Sequence, residues 1–478
     1  MSFRPAVRPL WQPVRPAVVG RHLGQLALLL VALLAVPTVY AAASGDGALA
    51  LRLLLAGVLP ALVLAAGARI RSGDRPLQAN EALVITALTF LVAALLMTFP
   101  LATGGLSTLD AWFEAVSGVT TTGLSLVPDP EQRSQGFLFA RAWAQWFGGL
   151  GIVVLSLSLA FASAADRHRL ADPIGEEDNL AEGTRRHARR VLGVYVLLTL
   201  IGVLLVWAAG VPLFDALIHG LAAVSTGGFA GFADSLARLD RTAQLLLLAL
   251  AFLGALPLPL FYRAYLGGLG PLGRDPELRA LLAAVVLVAL GLWALGALSP
   301  VDALVQALSA QTTAGFASVD LAGLEPAAKL LLIGSMMTGA GVGSTGGGMK
   351  LLRVLILIRV IQLAILRVEI PRHAVVHPTL GGRTLEPAQI EHALLLLLLF
   401  PLVVLLLWLP FVIAGYPPLD ALFEVVSAVG TVGLSVGITS PDLEAGLKLA
   451  LTAGMLLGRL EILALLVLVY PGTWTKQR

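Results

Sequence analysis

Apolar runs about as long as a bilayer is thick alternate along the chain with short breaks marked by arginine, glycine or proline. A membrane span needs about 20 mostly apolar residues. Runs of that kind lie at 23–43, 48–68, 79–99, 137–162, 191–210, 243–265, 280–298, 328–362, 391–413 and 446–470. The run at 328–362 is too long for one crossing and contains the interruption GAGVGSTGGGMK, residues 339–350. Six glycines fall there, at 339, 341, 343, 346, 347 and 348. Each costs about 1 kcal/mol inside a helix, so the helix is expected to break mid-membrane, with Ser344 and Thr345 bonding the freed backbone groups.

Four of the spans are followed by the same short motif. The copies read DAWFEAVSGVTTTGLS (110–125), DALIHGLAAVSTGGFA (215–230), DALVQALSAQTTAGFA (302–317) and DALFEVVSAVGTVGLS (420–435). Aspartate occurs only 15 times in 478 residues, yet Asp110, Asp215, Asp302 and Asp420 each stand thirteen residues before a glycine. Such agreement marks a true internal repeat. Each Asp suits a helix N-cap, and the eight to ten residues after it make a helix too short to span. Glu114, His219, Gln306 and Glu424 lie four residues on, along the same face. At the Thr-x-Gly triplet the chain is expected to leave helical geometry, since glycine permits conformations closed to other residues. Irregular backbone at membrane depth is tolerated where it lines a water-filled path or is buried in protein. Four such loops around one axis make a ring of carbonyl oxygens able to replace a cation's hydration shell, as in the TVGYG filter of potassium channels.

Composition and charge agree. The chain is 58% hydrophobic and 13% charged, with a mean hydropathy of +0.89, whereas soluble domains carry about 25% charged residues. A soluble enzyme is excluded. With no cysteine there are no disulfides or thiolate sites. Of 32 basic residues, 24 fall on one side of the expected topology, which places both termini in the cytoplasm by the positive-inside rule. That asymmetry accounts for the pI near 9.4 without a nucleic-acid partner. Tyr40–Ser44 resembles a signal cleavage site, but it lies beyond the usual reach of one, so the first span is expected to be retained.

With the stretches RAWAQWFGGLGIVVL (141–155), GSTGGGMKLLR (343–353) and GRLEILALLVL (458–468), the four motifs resemble the TrkH/KtrB/HKT superfamily of potassium transporters. The two extra N-terminal spans are similar to those of its TrkH branch. The resemblance implies an all-α integral membrane protein: two N-terminal helices (1–78), then pore repeats at 79–165, 166–265, 266–362 and 363–478. It implies a selectivity filter of Thr121, Thr122 and Gly123; Thr226, Gly227 and Gly228; Thr313, Ala314 and Gly315; and Thr431, Val432 and Gly433. Potassium would be held at Thr121, Thr122, Thr226, Gly227, Thr313, Ala314, Thr431 and Val432. In the family a glycine in every repeat goes with potassium selectivity; the variable middle residue makes the ring only pseudo-fourfold. Gly346, Gly347, Gly348, Lys350 and Arg459 would form a gate beneath the filter. The family further implies a homodimer in the cell membrane, potassium as transported ion with no covalent cofactor, and a cytosolic nucleotide-binding regulatory subunit.

Arg459 lies near the middle of the last expected span, where a charge demands a polar surrounding. It reads as an electrostatic barrier in the pathway or as a carbonyl clamp; Glu461, two residues on, points elsewhere on a helix. Arg141 is expected to brace a pore-helix carboxylate, Glu114 or Glu424. GxGxxG at 268–273 follows no strand, and His373 and His377 lack the glutamate of a zinc motif. The rival readings are a cation symporter and, from another class, a membrane-embedded enzyme or scaffold.

Overall fold

A computed structural model describes residues 13–69, 77–103, 105–151, 177–268, 270–369 and 378–475. The end of the span expected at 137–162, and the His373/His377 pair, lie outside the described residues.

Two helices, α1 (Pro16–Ala43) and α2 (Gly47–Ala68), pair as an N-terminal hairpin, with Asp46 capping α2 through Leu49 N at 3.0 Å. Four helix–short helix–helix units follow. The first is α3 (Ala79–Leu101), α4 (Thr108–Val119) and α5 (residues 135–151). The second is α6 (Glu177–Ala208), α7 (Leu213–Val224), α8 (Arg241–Gly254) and α9 (Leu258–Gly267). After the short α10 (Gly270–Arg274) comes the third, α11 (Pro276–Ala294), α12 (Pro300–Gln311), α13 (Pro326–Thr338) and α14 (Leu351–Glu369). A two-stranded hairpin, Thr379–Leu380 with Arg383–Thr384, leads to the fourth: α15 (Pro387–Ile413), α16 (Pro418–Val429), α17 (Ala445–Arg459) and α18 (Leu463–Val469).

Each short helix has 12 residues, about 18 Å at 1.5 Å per residue, little more than half the hydrocarbon thickness. Their aspartates are not the N-caps expected from sequence but stand three residues later. Ser107 and Ser299 cap α4 and α12, accepting from Asp110 N at 3.1 Å and Asp302 N at 3.2 Å, and each hydroxyl donates back to its aspartate at 2.7 Å. Pro212 and Pro417 occupy the cap positions of α7 and α16. The serine is the better cap because its short side chain reaches the N3 amide, which leaves the aspartate free to reach outward.

Among the described residues five helices are long and apolar enough to cross a membrane, and seven if two bent pairs each count as one span. The bends correct two expected straight spans. Between α8 and α9 the chain turns by 86° at Pro257, which cannot continue a helix. Between α17 and α18 it turns by 111° without proline or glycine; Glu461 and Ile462 adopt φ of 53° and 62°. The break at 339–350 lies where it was expected, between α13 and α14.

Leucines and isoleucines cover the outside, with Ile413 78% and Leu398 71% exposed, while Thr121, Thr226, Thr313, Gln145 and Glu114 are wholly buried. An apolar exterior around a polar centre suits a chain solvated by lipid.

Candidate ion pathway and gate

The four short helices end in one geometry. Each terminates in a Schellman motif: the amides of Thr121, Thr226, Thr313 and Thr431 reach back three residues, and those of Thr122, Gly227, Ala314 and Val432 reach back five, at 2.8–3.3 Å. The left-handed position of that motif normally holds glycine. Here it holds threonine every time, with φ of 54°, 51°, 57° and 48°. A β-branched residue is strained there by about 1–2 kcal/mol, and backbone strain gathers at functional sites. Among the described residues the Thr121 and Thr431 hydroxyls are buried without a hydrogen-bond partner.

The glycines close a ring. Gly123, Gly228, Gly315 and Gly433 have φ of 91°, 78°, 72° and 96°. A β-carbon on Gly123 would overlap the Gly227 carbonyl oxygen, one on Gly228 that of Ala314, one on Gly315 that of Val432, and one on Gly433 that of Thr122. Each repeat thus abuts the next, and the fourth returns to the first. Eight of the twelve residues singled out from the Thr-x-Gly motifs, the middle residue and the glycine of each, meet at this closure.

Behind the ring, the polar residue four positions after each aspartate ties down the outgoing strand. Glu114 Oε1 accepts from Ser125 Oγ at 2.8 Å and Leu126 N at 2.5 Å. Glu424 Oε1 does the same for Ser435, Val436 and Ile438 at 2.5–3.1 Å. Gly231 N donates to His219 Nε2 at 3.3 Å, and Gln306 Nε2 to Ser318 Oγ at 3.3 Å. Of the two partners expected for Arg141, the structure selects Glu114, at 3.0 Å; its guanidinium also lies 3.9 Å from the Phe229 ring centroid.

Sequence reasoning missed what joins the repeats. Lys448 pairs with Asp110 at 2.6 Å, Arg241 with Asp302 at 2.5 Å and Lys329 with Asp420 at 2.7 Å. Each bond links a short helix to the third helix of the preceding unit. Among the described residues Asp215 has no such pair; Arg238–Glu131, at 3.0 Å, joins the first two units instead. A further signal was present but unread: Gly148, Gly254 and Gly458 recur at matching places, and a β-carbon on any of them would overlap the last carbonyl of its own short helix, at Val119, Val224 or Val429.

The glycine-rich segment lies against the threonine ring. Gly347 N donates to Thr313 Oγ1 at 2.8 Å and Gly348 N to the Gly430 carbonyl at 3.0 Å. Thr345 Oγ1 donates to the carbonyls of Val224 and Gly254, both at 3.0 Å. A β-carbon on Gly347 would overlap Thr431 Oγ1 and the Gly430 carbonyl, so only glycine lets the segment come so close. Lys350 turns back with φ of 73° and its Nζ donates to the Gly346 carbonyl. Arg459 is the last residue of α17, at the bend rather than mid-helix as expected. Its Nη1 donates to the Thr345 carbonyl at 2.7 Å and its Nη2 to the Gly148 carbonyl at 3.1 Å. It clamps the segment to the first repeat, completing contacts with all four. Glu461 lies beyond the helix end, in the bend itself, rather than on another face of the helix as expected, and it pairs with Arg353 at 2.5 Å.

The family model described as TrkH, cation transport protein, matches residues 55–269 and 296–472. The Trk system potassium uptake protein TrkH of Escherichia coli strain K12 is 31% identical over 387 residues, 77% of this chain and 80% of that protein. The Trk system potassium uptake protein TrkI of Halomonas elongata is 30% identical over 486 residues, 97% of each chain. The crystal structure of the potassium transporter TrkH from Vibrio parahaemolyticus superposes with a TM-score of 0.84 at 27% identity, covering 97% of this chain and all of that one. The chain belongs to the TrkH family of cation transport proteins and is an all-α, multi-pass membrane protein.

Proposed function

We propose that this chain takes up potassium into the cell down its electrochemical gradient, through a selectivity filter built by the four Thr-x-Gly strands. The observation that carries this reading is the closed succession of glycines and carbonyls. In this reading Thr122, Gly227, Ala314 and Val432 surround one axis, where main-chain oxygens can replace a cation's hydration shell. The partnerless hydroxyls of Thr121 and Thr431 fit further ligands, because a buried hydroxyl normally finds a partner. Segment 339–350 lies across the inner end of the ring, and with Arg459 it is the gate in its closed position. The cationic guanidinium beside that path adds a barrier to permeant cations.

The basic-residue asymmetry supports cytoplasmic termini. The relatives are named for a Trk system, which supports a partner; that this partner is a cytosolic nucleotide-binding subunit, and that the chain pairs as a homodimer, rests on the family resemblance of the sequence.

The test is cation flux in liposomes holding the purified protein, comparing potassium, rubidium, sodium and lithium. Potassium and rubidium are expected to pass well ahead of sodium and lithium. Equal passage of all four would overturn the filter, and a reversal potential that follows a second ion gradient would replace uptake through a pore with symport.

A further inference from the structure

In two repeats a serine holds the filter strand: Ser117 Oγ accepts from Gly123 N, and Ser427 Oγ from Gly433 N, both at 3.0 Å. Repeat 3 keeps a serine at that place, Ser309, although its hydroxyl has no hydrogen-bond partner among the described residues. Repeat 2 has Ala222, which has no hydroxyl, and its strand carries two adjacent glycines, Gly227 and Gly228. It is the strand with the least conformational restraint of its own.

The missing support comes from another repeat. Gln145, wholly buried on α5 of the first unit, donates from Nε2 to the Gly227 carbonyl at 2.5 Å and accepts at Oε1 from Phe229 N at 3.1 Å. One side-chain amide therefore holds the peptide groups on both sides of Gly228. The Gly227 carbonyl is also the one that lies against Gly123 in the ring. Both amide groups are satisfied, so any rotation of the Gly227 peptide leaves buried polar atoms unpaired.

We propose that Gln145 is a specificity-determining positioning residue: it fixes the orientation of the Gly227 carbonyl and so the size of the ring that a dehydrated cation meets. The proposal rests on reading the ring as the selectivity filter. Ion preference in such a ring depends on how many carbonyl dipoles face the ion and at what distance. A Gly227 peptide free to turn leaves three fixed oxygens and one mobile one, which accommodates the smaller sodium ion.

The experiment measures potassium-to-sodium permeability ratios in liposomes for the full-length protein, with unfolding temperature recorded in parallel. Gln145→Met, similar in length but without donor or acceptor, is expected to lower the ratio about tenfold, the scale of one lost buried hydrogen bond. Gln145→Glu, which sets a second oxygen against the Gly227 carbonyl, lowers it at least as far and serves where the methionine variant does not fold. Ala222→Ser in the Gln145→Met background restores part of the ratio, because it returns the hydroxyl that repeats 1 and 4 use. A purely structural Gln145 would move the unfolding temperature and leave the ratio alone. If folded Gln145→Met keeps the wild-type ratio while Gly228→Ser lowers it, the proposal is overturned and the filter stands. If neither changes the ratio, the filter reading falls as well.

Discussion

Four threonines occupy a backbone position that glycine would fill with less strain, and four glycines occupy one where no side chain fits. The threonine brings a hydroxyl, which in the proposed filter is a further ligand, and the glycine leaves room for a neighbouring carbonyl. Gly123→Ser places a side chain against the Gly227 oxygen, spreading the ring. The potassium-to-sodium permeability ratio is expected to fall by roughly tenfold or more, about 1.4 kcal/mol of discrimination. An unchanged ratio in reversal-potential measurements would remove Gly123 from the filter. Thr431→Gly separates the two roles. It relieves the strained φ yet deletes a hydroxyl, so thermal stability is expected to hold within about 1 kcal/mol while potassium preference declines. At this scale the motif was legible because spacing repeats within one chain. Gln145 was not, because its two partners lie more than eighty residues away and an isolated glutamine carries no pattern.

Helices stop where their ends are needed. Glycines announced the break at 339–350, and Pro257 announced the bend after α8, although the 243–265 run still read as a straight span. The 111° bend after α17 falls on Leu460–Ile462, which include no glycine or proline; local backbone bonds, Glu461 N to the Gly458 carbonyl and Ile462 N to that of Leu457, close it, and Arg353 pairs with Glu461 at 2.5 Å. Hydropathy counts residues and is blind to such a turn. The bend matters because it leaves Arg459 at a helix end, where it reaches Thr345 and Gly148. Hydrogen bonds from a charged donor contribute about 1.5–3 kcal/mol each, so, if segment 339–350 is the gate proposed above, Arg459→Ala is expected to release it and raise basal flux by about ten- to hundredfold. Gly347→Ala should act in the same direction, because its methyl group would overlap Thr431 Oγ1 and the Gly430 carbonyl. Rubidium uptake in the absence of any regulatory partner measures both, and unaltered uptake in either variant would leave the segment a passive kink.

The whole molecule depends on closure, since a ring of four strands is only as tight as its loosest seam. Three seams carry an ion pair at the repeated aspartate, but they are not equivalent. Lys448–Asp110 has side-chain exposures of 8% and 15%, and Lys329–Asp420 of 8% and 28%. Arg241, by contrast, is 51% exposed beside Asp302. Breaking a buried pair strands a charge and costs about 3–5 kcal/mol, whereas an exposed pair contributes about 1 kcal/mol or less. Lys448→Met is therefore expected to lower the unfolding temperature well beyond Arg241→Met, and only the Arg241 contribution should fade in high salt, where exposed charges are screened. The fourth seam, between the first two units, has no pair at Asp215 among the described residues and relies on Arg238–Glu131, Arg141 over Phe229, and Gln145. The repeats themselves were readable from the aspartates, but their pairing was not, because the lysines sit at slightly different distances from each motif. If closure governs selectivity, Lys448→Met loosens the seam where Gly433 meets Thr122, and its potassium-to-sodium ratio should drop along with its stability. A destabilised variant that still discriminates as the wild type does would show that the ring keeps its shape without the outer staples.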